Sequence, residues 1–214
     1  VIGVAGTIPL DKMIKIENVP ANAQIVRTYT DKGDQYNAIV LDKDFVWLVL
    51  YVPNNYDIAQ TGMKLLASVA EVAHKNKIKI FSTGNDIYLD TGTNKKKFCG
   101  YSLHQWEGWT SFELFVSLEV NWDIMRSIYD FTQEKFTKTG NFGDISNIVG
   151  GLKESNPNLN YGLSNDIVSA LAKRLGLKLN KRALTDDEEK DFKWLEDRMD
   201  VDSWKYDGIY PFKK

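Results

Sequence analysis

Two short stretches place an amide, a carboxylate, an ammonium and a glycine close together. The first is Gly84-Asn85-Asp86-Ile87-Tyr88-Leu89-Asp90; after a turn comes Lys95-Lys96-Lys97-Phe98-Cys99-Gly100-Tyr101-Ser102. Asn85-Asp86 at a strand start supplies polar groups at the mouth of a sheet. Lys97 leads the returning strand with a compact positive charge able to hold a carboxylate or a phosphate. Gly100, without a Cβ, lets a bulky group lie against the backbone. A plainer reading stands beside this one. Asn-Asp is a frequent turn pair, and Lys95, Lys96 and Lys97 also suit a solvated hairpin edge that resists pairing with other chains. Spacing alone leaves both readings open.

The other reactive side chains point to structure first. Cys99 has no obvious histidine partner, so it reads as a small buried core residue, with an acyl-transfer nucleophile as the alternative. His104, followed by Trp106 and Trp109, reads as a surface loop with packed aromatics, the lining of a pocket being the other option. Trp47 and Trp122 read as core or domain-interface residues. The acidic run Asp186 to Glu189 fits the first turn of a helix, where negative charge matches the macrodipole, better than a metal site.

The elements that must hold these residues follow from periodicity. Asn37 to Asp42 and Phe45 to Val52 are β-rich runs, and the second is apolar at every position, which predicts a strand covered on both faces. Between Asp57 and Asn76, Ile58, Leu65, Leu66, Val69, Val72 and Ala73 recur at helical spacing. Ile78 to Phe81 predicts a short strand, and Ile87 to Asp90 with Lys97 to Leu103 a hairpin around Thr91-Gly92-Thr93-Asn94. Ser111 to Val120 predicts another strand and Asp123 to Phe136 an amphipathic helix. Thr139-Gly140-Asn141-Phe142-Gly143 is read as a linker, which divides the chain into a body over residues 1–138 and a small, mostly helical domain over 139–214. In that tail Ser164 is the expected cap of a helix ending at Gly176. Thr185 to Glu188 fits a capping box whose helix buries Phe192, Leu195 and Met199.

Composition bounds the function. The 214 residues carry 27 basic and 29 acidic side chains, a net charge of −2, so no global field draws the chain to nucleic acid or to an anionic membrane. With 43% hydrophobic and 26% charged residues the composition is that of a folded globular protein. A single cysteine excludes an intrachain disulfide framework and a multi-cysteine zinc site, and two histidines disfavour a histidine-rich metal centre. The longest apolar run is too short to span a bilayer and no secretory signal precedes it, so a cytoplasmic location is expected. The chain opens on the strand-like Val1-Ile2-Gly3-Val4, without an initiator methionine, and a preceding element is expected.

Asn85-Asp86-Ile87, a hairpin, and then Lys97-Phe98-Cys99-Gly100-Tyr101-Ser102 together resemble the Asn-Asp-Ile/Leu … Lys-x-x-Gly-x-Ala/Ser signature of the biotin/lipoate protein ligase family, with the lipoate–protein ligases its nearest branch. Val1-Ile2-Gly3 resembles the strand before that family's substrate loop, and Ile25-Val26-Arg27 the entry to the loop. Ser117 to Asp123 falls where the family has a strand ending in Asn-x-Asp. Leu184 to Glu188, Asp202 to Gly208 and Pro211-Phe212 resemble the small C-terminal accessory domain. The resemblance implies an α+β fold, a mixed β-sheet with packed helices, followed by an α-rich accessory domain.

It also implies a two-step reaction. Lipoate or octanoate attacks the α-phosphate of ATP, with Mg2+, to give an acyl-adenylate; a carrier-protein lysine then displaces AMP. The carrier would be a lipoyl domain of the glycine-cleavage H protein or dehydrogenase E2 type. On this resemblance Lys97 is the catalytic cation, stabilising charge between carboxylate and α-phosphate. Arg27, Gly33, Asn85, Asp86, Gly100 and Ser102 bind substrate or nucleotide, and Asp86 is the metal contact, through Mg2+. The chain departs from the family at the Arg-Arg-x-x-Gly-Gly-Gly loop, which here reads Arg27-Thr28-Tyr29-Thr30-Asp31-Lys32-Gly33-Asp34, and at a His-Gly pair replaced by Phe115-Val116. Two alternatives follow: a non-catalytic lipoate- or acyl-binding regulatory subunit of the same fold, and an ATP-independent acyltransferase working through Cys99.

Overall fold

The structure is a computed structural model that describes residues 4–5, 15–21, 23–29, 35–40, 45–92, 94–128, 145–147, 149–160 and 162–199. By the packing of its backbone the chain divides into two compact units, each assembled from separate segments. One comprises 1–42, 121–141 and 180–214, and the other 43–120 and 142–179.

The second unit carries a five-stranded sheet. Its strands are β4 (Phe45–Pro53), β5 (Ile80–Thr83), β6 (Asp86–Asp90), β7 (Lys95–Trp106) and β8 (Trp109–Ser117), in the order β4-β8-β7-β6-β5. All of these ladders are antiparallel, and a parallel component enters through the isolated bridge between Lys97 and Val149. Helix α1 (Ile58–Lys75) starts where the Asp57 carboxylate accepts the Gln60 N–H at 2.9 Å, and it buries Leu65, Leu66, Val69, Val72 and Ala73. These side chains share one core with Leu48, Leu50, Ile87, Leu89, Phe112, Leu114 and Val116 from the sheet. A further helix, Gly162–Leu175, adds Leu163, Ile167, Ala170 and Leu171 to that core, and its Arg174 guanidinium donates to Glu71 of α1 at 2.8 Å.

The first unit pairs β1 (Val4–Ala5), β2 (Gln24–Tyr29) and β3 (Gln35–Val40) in the order β1-β3-β2. It also holds α2 (Trp122–Ile128). The Ile128 carbonyl accepts the Lys15 N–H at 2.8 Å, and the Ser127 carbonyl accepts from the Asn18 amide. In chain order the Gly162–Leu175 helix is α3, and the last helix, Asp186–Met199, is α4.

The α+β architecture expected from the sequence is present, with three local corrections. The apolar run of β4 is not covered on both faces. Trp47, Val49 and Tyr51 are 45%, 42% and 62% exposed, because α1 and α3 share a core with the alternate residues and β4 is an edge strand. The α3 helix begins two residues before Ser164, where the Asn160 side chain accepts the Gly162 N–H at 2.8 Å. The α4 helix has the capping box expected at Thr185 and Glu188, but Phe192 and Leu195 are exposed, not buried. The linker at 139–143, the last turns of the helix expected to reach Phe136, and the 202–212 tail lie outside the described residues.

Candidate functional site

Lys97 and Gly100 are three residues apart, and in a regular strand that spacing sends them to opposite faces. The register of β6 on β7 resolves the conflict. Asp86 pairs with Gly100 and Ile87 with Cys99, but Tyr88 pairs with Lys97, so Phe98 is an inserted bulge residue. The bulge turns Lys97 onto the face that carries Gly100, Asp86 and Tyr88, while Cys99, Ile87 and Leu89 stay in the core. Phe98 is itself buried in that core, which ties the insertion to the packing beneath it.

The consequence is an ion pair on the sheet face. Lys97 Nζ lies 2.8 Å from Asp86 Oδ1, with the two side chains 46% and 30% exposed. The Tyr88 hydroxyl donates to the other carboxylate oxygen, Oδ2, at 3.5 Å. Gly100 provides the floor. A Cβ there would stand 2.6 Å from Asp86 Oδ1 and 3.2 Å from Lys97 Cε, so only glycine lets the pair rest against the strand. Asn85 occupies the β5–β6 turn beside it, its carbonyl accepting the Tyr101 N–H at 3.4 Å. Ser102, two residues beyond Gly100 and opposite Glu113, continues the same face.

Of the residues expected at the site, the structure therefore brings Lys97, Asp86 and Gly100 into contact and sets Asn85 and Ser102 next to them. The Arg27 backbone lies in β2, opposite Asn37 in the other unit, and Gly33 lies outside the described residues. Cys99 is buried, and burial pushes its thiol well above the ordinary range against the weaker opposing pull of the Lys97 charge. Such a thiol is a core group, not an activated nucleophile. His104 is not in a loop: it sits on β7, with Nε2 3.7 Å from Glu113 Oε1 on β8. Among the described residues no three His, Cys, Asp or Glu side chains are grouped to hold a metal ion, and no helix is long and apolar enough to cross a membrane.

Sequence reasoning missed what lies behind Lys97. The Gly150 N–H donates to the Lys97 carbonyl at 3.0 Å, and Glu154 reaches Lys96 Nζ at 2.8 Å. The available signal was the pair Gly150-Gly151 with an acid three residues on.

No protein-family model matches the sequence, and no curated protein does. Solved structures are similar in fold. A bipartite lipoate protein ligase from Thermoplasma acidophilum, solved in a study that includes its E2 lipoyl domain, superposes with a TM-score of 0.69 at 16% identity, over 93% of this chain and 77% of its own. Lipoate-protein ligase A bound with ATP gives 0.66 at 12% identity, over 95% and 81%. P. falciparum LipL1 in complex with lipoate gives 0.60 at 12% identity, over 99% of this chain and 59% of its own. The chain has the fold of the lipoate–protein ligases, in a strongly divergent sequence.

Proposed function

We propose that this protein is a lipoate–protein ligase-like enzyme that activates lipoate or octanoate with Mg-ATP and transfers the acyl group to a lysine of a lipoyl carrier domain. The observation that carries the reading is the Lys97–Asp86 ion pair held against Gly100 on a lipoate ligase fold. Neighbours of that fold bound to lipoate, to ATP, or studied with an E2 lipoyl domain support the choice of substrates and of partner.

In the first step an acyl carboxylate oxygen bonds to the α-phosphorus of ATP and pyrophosphate leaves. Two anions must approach, and in the transition state negative charge shifts onto the leaving pyrophosphate beside the α-phosphate oxygens. Lys97 exchanges Asp86 for these oxygens and neutralises them as charge develops. Asp86, released, is the carboxylate we assign to the Mg-ATP complex, and Gly100 leaves room for the acyl-adenylate against the strand. Asn85 and Ser102 offer an amide and a hydroxyl to the nucleotide, while the roles of Arg27 and Gly33 toward the acyl chain and phosphate rest on the sequence resemblance alone. In the second step the carrier's lysine amine attacks the acyl carbonyl, loses a proton and expels AMP, which leaves an amide. Purified protein with lipoate, Mg-ATP and an apo carrier domain is expected to release pyrophosphate and modify the carrier, and Lys97→Ala to abolish both. Undiminished turnover in that variant would remove Lys97 from the reaction.

A second reading is favoured by Asp31 and Asp34 in the segment from Arg27 to Asp34, which bring negative charge where anions are expected. A non-catalytic subunit of the same fold would give no heat with ATP in calorimetry even at millimolar ligand. The proposed enzyme gives a saturable isotherm.

A further inference from the structure

A bulge disrupts the ladder and leaves one strand residue without its regular partner, so the groups packed behind it help fix where it sits. Here the segment from Val149 to Glu154 lies behind it, held through five of its residues. Val149 bridges to Lys97 in parallel, and the Gly150 N–H donates to the Lys97 carbonyl at 3.0 Å. Leu152 is fully buried in the core, and the Lys153 N–H donates to the Leu118 carbonyl at 2.9 Å. Glu154 closes the segment on itself and on β7 together: Oε1 accepts the Gly151 N–H at 3.1 Å and Oε2 pairs with Lys96 Nζ at 2.8 Å. A Cβ on Gly151 would stand 2.5 Å from the Leu118 carbonyl oxygen, so the backbone lies flat against the end of β8.

We propose that this segment is a strap that fixes the bulge at Phe98, and that Glu154, by clasping Lys96 and the Gly151 amide, is a positioning residue for Lys97. Glu154 holds the Gly151 amide, and the neighbouring Gly150 amide bonds the Lys97 carbonyl, so the clasp steadies the β7 backbone that aims Lys97 at Asp86. Glu154 touches neither Asp86 nor the face that holds Gly100, and its effect passes through the backbone of β7. The strap stands on geometry alone; its consequence for turnover rests on the function proposed above.

The test therefore has one arm independent of activity. Glu154→Ala is expected to speed hydrogen exchange of the Gly150 amide about tenfold or more, the scale of one charge-assisted hydrogen bond. In the same variant, competitive acetylation of Lys97 by trace acetic anhydride, read by mass spectrometry, rises relative to Lys95. Glu154→Gln retains an oxygen acceptor for the Gly151 N–H and is expected to recover most of the Gly150 protection. Lys96→Met, which keeps the aliphatic stem, is the second variant should Glu154→Ala fail to fold, and is expected to raise Lys97 acetylation likewise. Unchanged exchange and labelling in both variants, or an equal rise at Lys95 and Lys97, overturns the strap. In the second arm Glu154→Ala is expected to lower kcat for pyrophosphate release by about tenfold with the KM for ATP within about twofold. An unchanged kcat, alongside increased exchange and labelling, overturns the positioning role. If wild-type protein releases no pyrophosphate while the exchange and labelling changes appear, the strap stands and the ligase reading fails.

Discussion

Replacing Gly100 by alanine separates a binding role from a folding role. The new Cβ would lie 2.6 Å from Asp86 Oδ1, 3.2 Å from Lys97 Cε and 3.3 Å from Lys97 Nζ, so the ion pair must lift off the strand. The atoms it meets are the ends of two partly exposed side chains, not backbone, so the pair can shift outward. Lys97 is nearly half exposed, and a pair in that setting contributes about 0–1 kcal/mol. Gly100 has a negative φ in the extended strand, so the methyl imposes no torsional penalty there. The stability loss is thus about 1 kcal/mol at most, a fall of roughly 2–4 °C in Tm for a chain of this size. On the proposed ligase function the expected loss of turnover is larger, because displacing a reacting ammonium by about 1 Å costs roughly a hundredfold in rate. Calorimetry and a coupled pyrophosphate-release assay read the two quantities on one preparation. Wild-type turnover in Gly100→Ala, or a loss of stability several times larger than this, would refute the assignment of Gly100 as the floor of the site.

Three further outcomes are expected. Cys99→Ser leaves turnover per folded molecule intact while costing about 1–3 kcal/mol in urea denaturation, since it buries a hydroxyl beside the core; loss of turnover without loss of stability would restore the thiol mechanism. Leu114→Ala on the core face of β8 costs about 2–5 kcal/mol, whereas Val49→Thr on the exposed face of β4 stays within about 0.5 kcal/mol, and similar costs at the two positions would contradict the one-sided burial of the sheet. Glu188 titrates at about 2, held down first by the Arg182 hydrogen bonds and then by the Thr185 N–H. Because its folded value is depressed, its contribution is present above the ordinary glutamate range of roughly 4.3 and is lost as the pH falls through about 2. A carboxyl 13C titration of Glu188 showing an ordinary midpoint would exclude the capping box at α4.

The residue types of the candidate site were legible because they sit in a short hairpin. Asn85, Asp86, Lys97 and Gly100 lie within sixteen residues, and the two strands that carry them pair directly. The helix over α1 was equally legible, since its apolar stripe repeats at 3.6 residues and Asp57 marks its start. The sequence was less informative about sidedness. An all-apolar run such as Phe45 to Val52 has no period, so nothing in it indicates that α1 and α3 both pack on one face. The Phe192 and Leu195 stripe of α4 misled in the same way, because amphipathicity records a preference for cover and not the presence of it. Glu154 was invisible for a different reason: it acts on Lys96 across 58 residues of chain, and no local pattern encodes that meeting.

The sequence by itself placed a carboxylate, an ammonium and a glycine on one hairpin, and its resemblance to a known family implied the α+β fold. The placement follows from adjacency along the chain. The sequence did not determine that Lys97 and Gly100 share a face, because a spacing of three residues places them on opposite sides of any regular strand. The tertiary structure decided that point. Phe98 is buried in the core beneath the sheet, the Lys97 carbonyl is held by the Gly150 amide, and the bulge between Ile87 and Tyr88 in the register turns the ammonium toward Asp86.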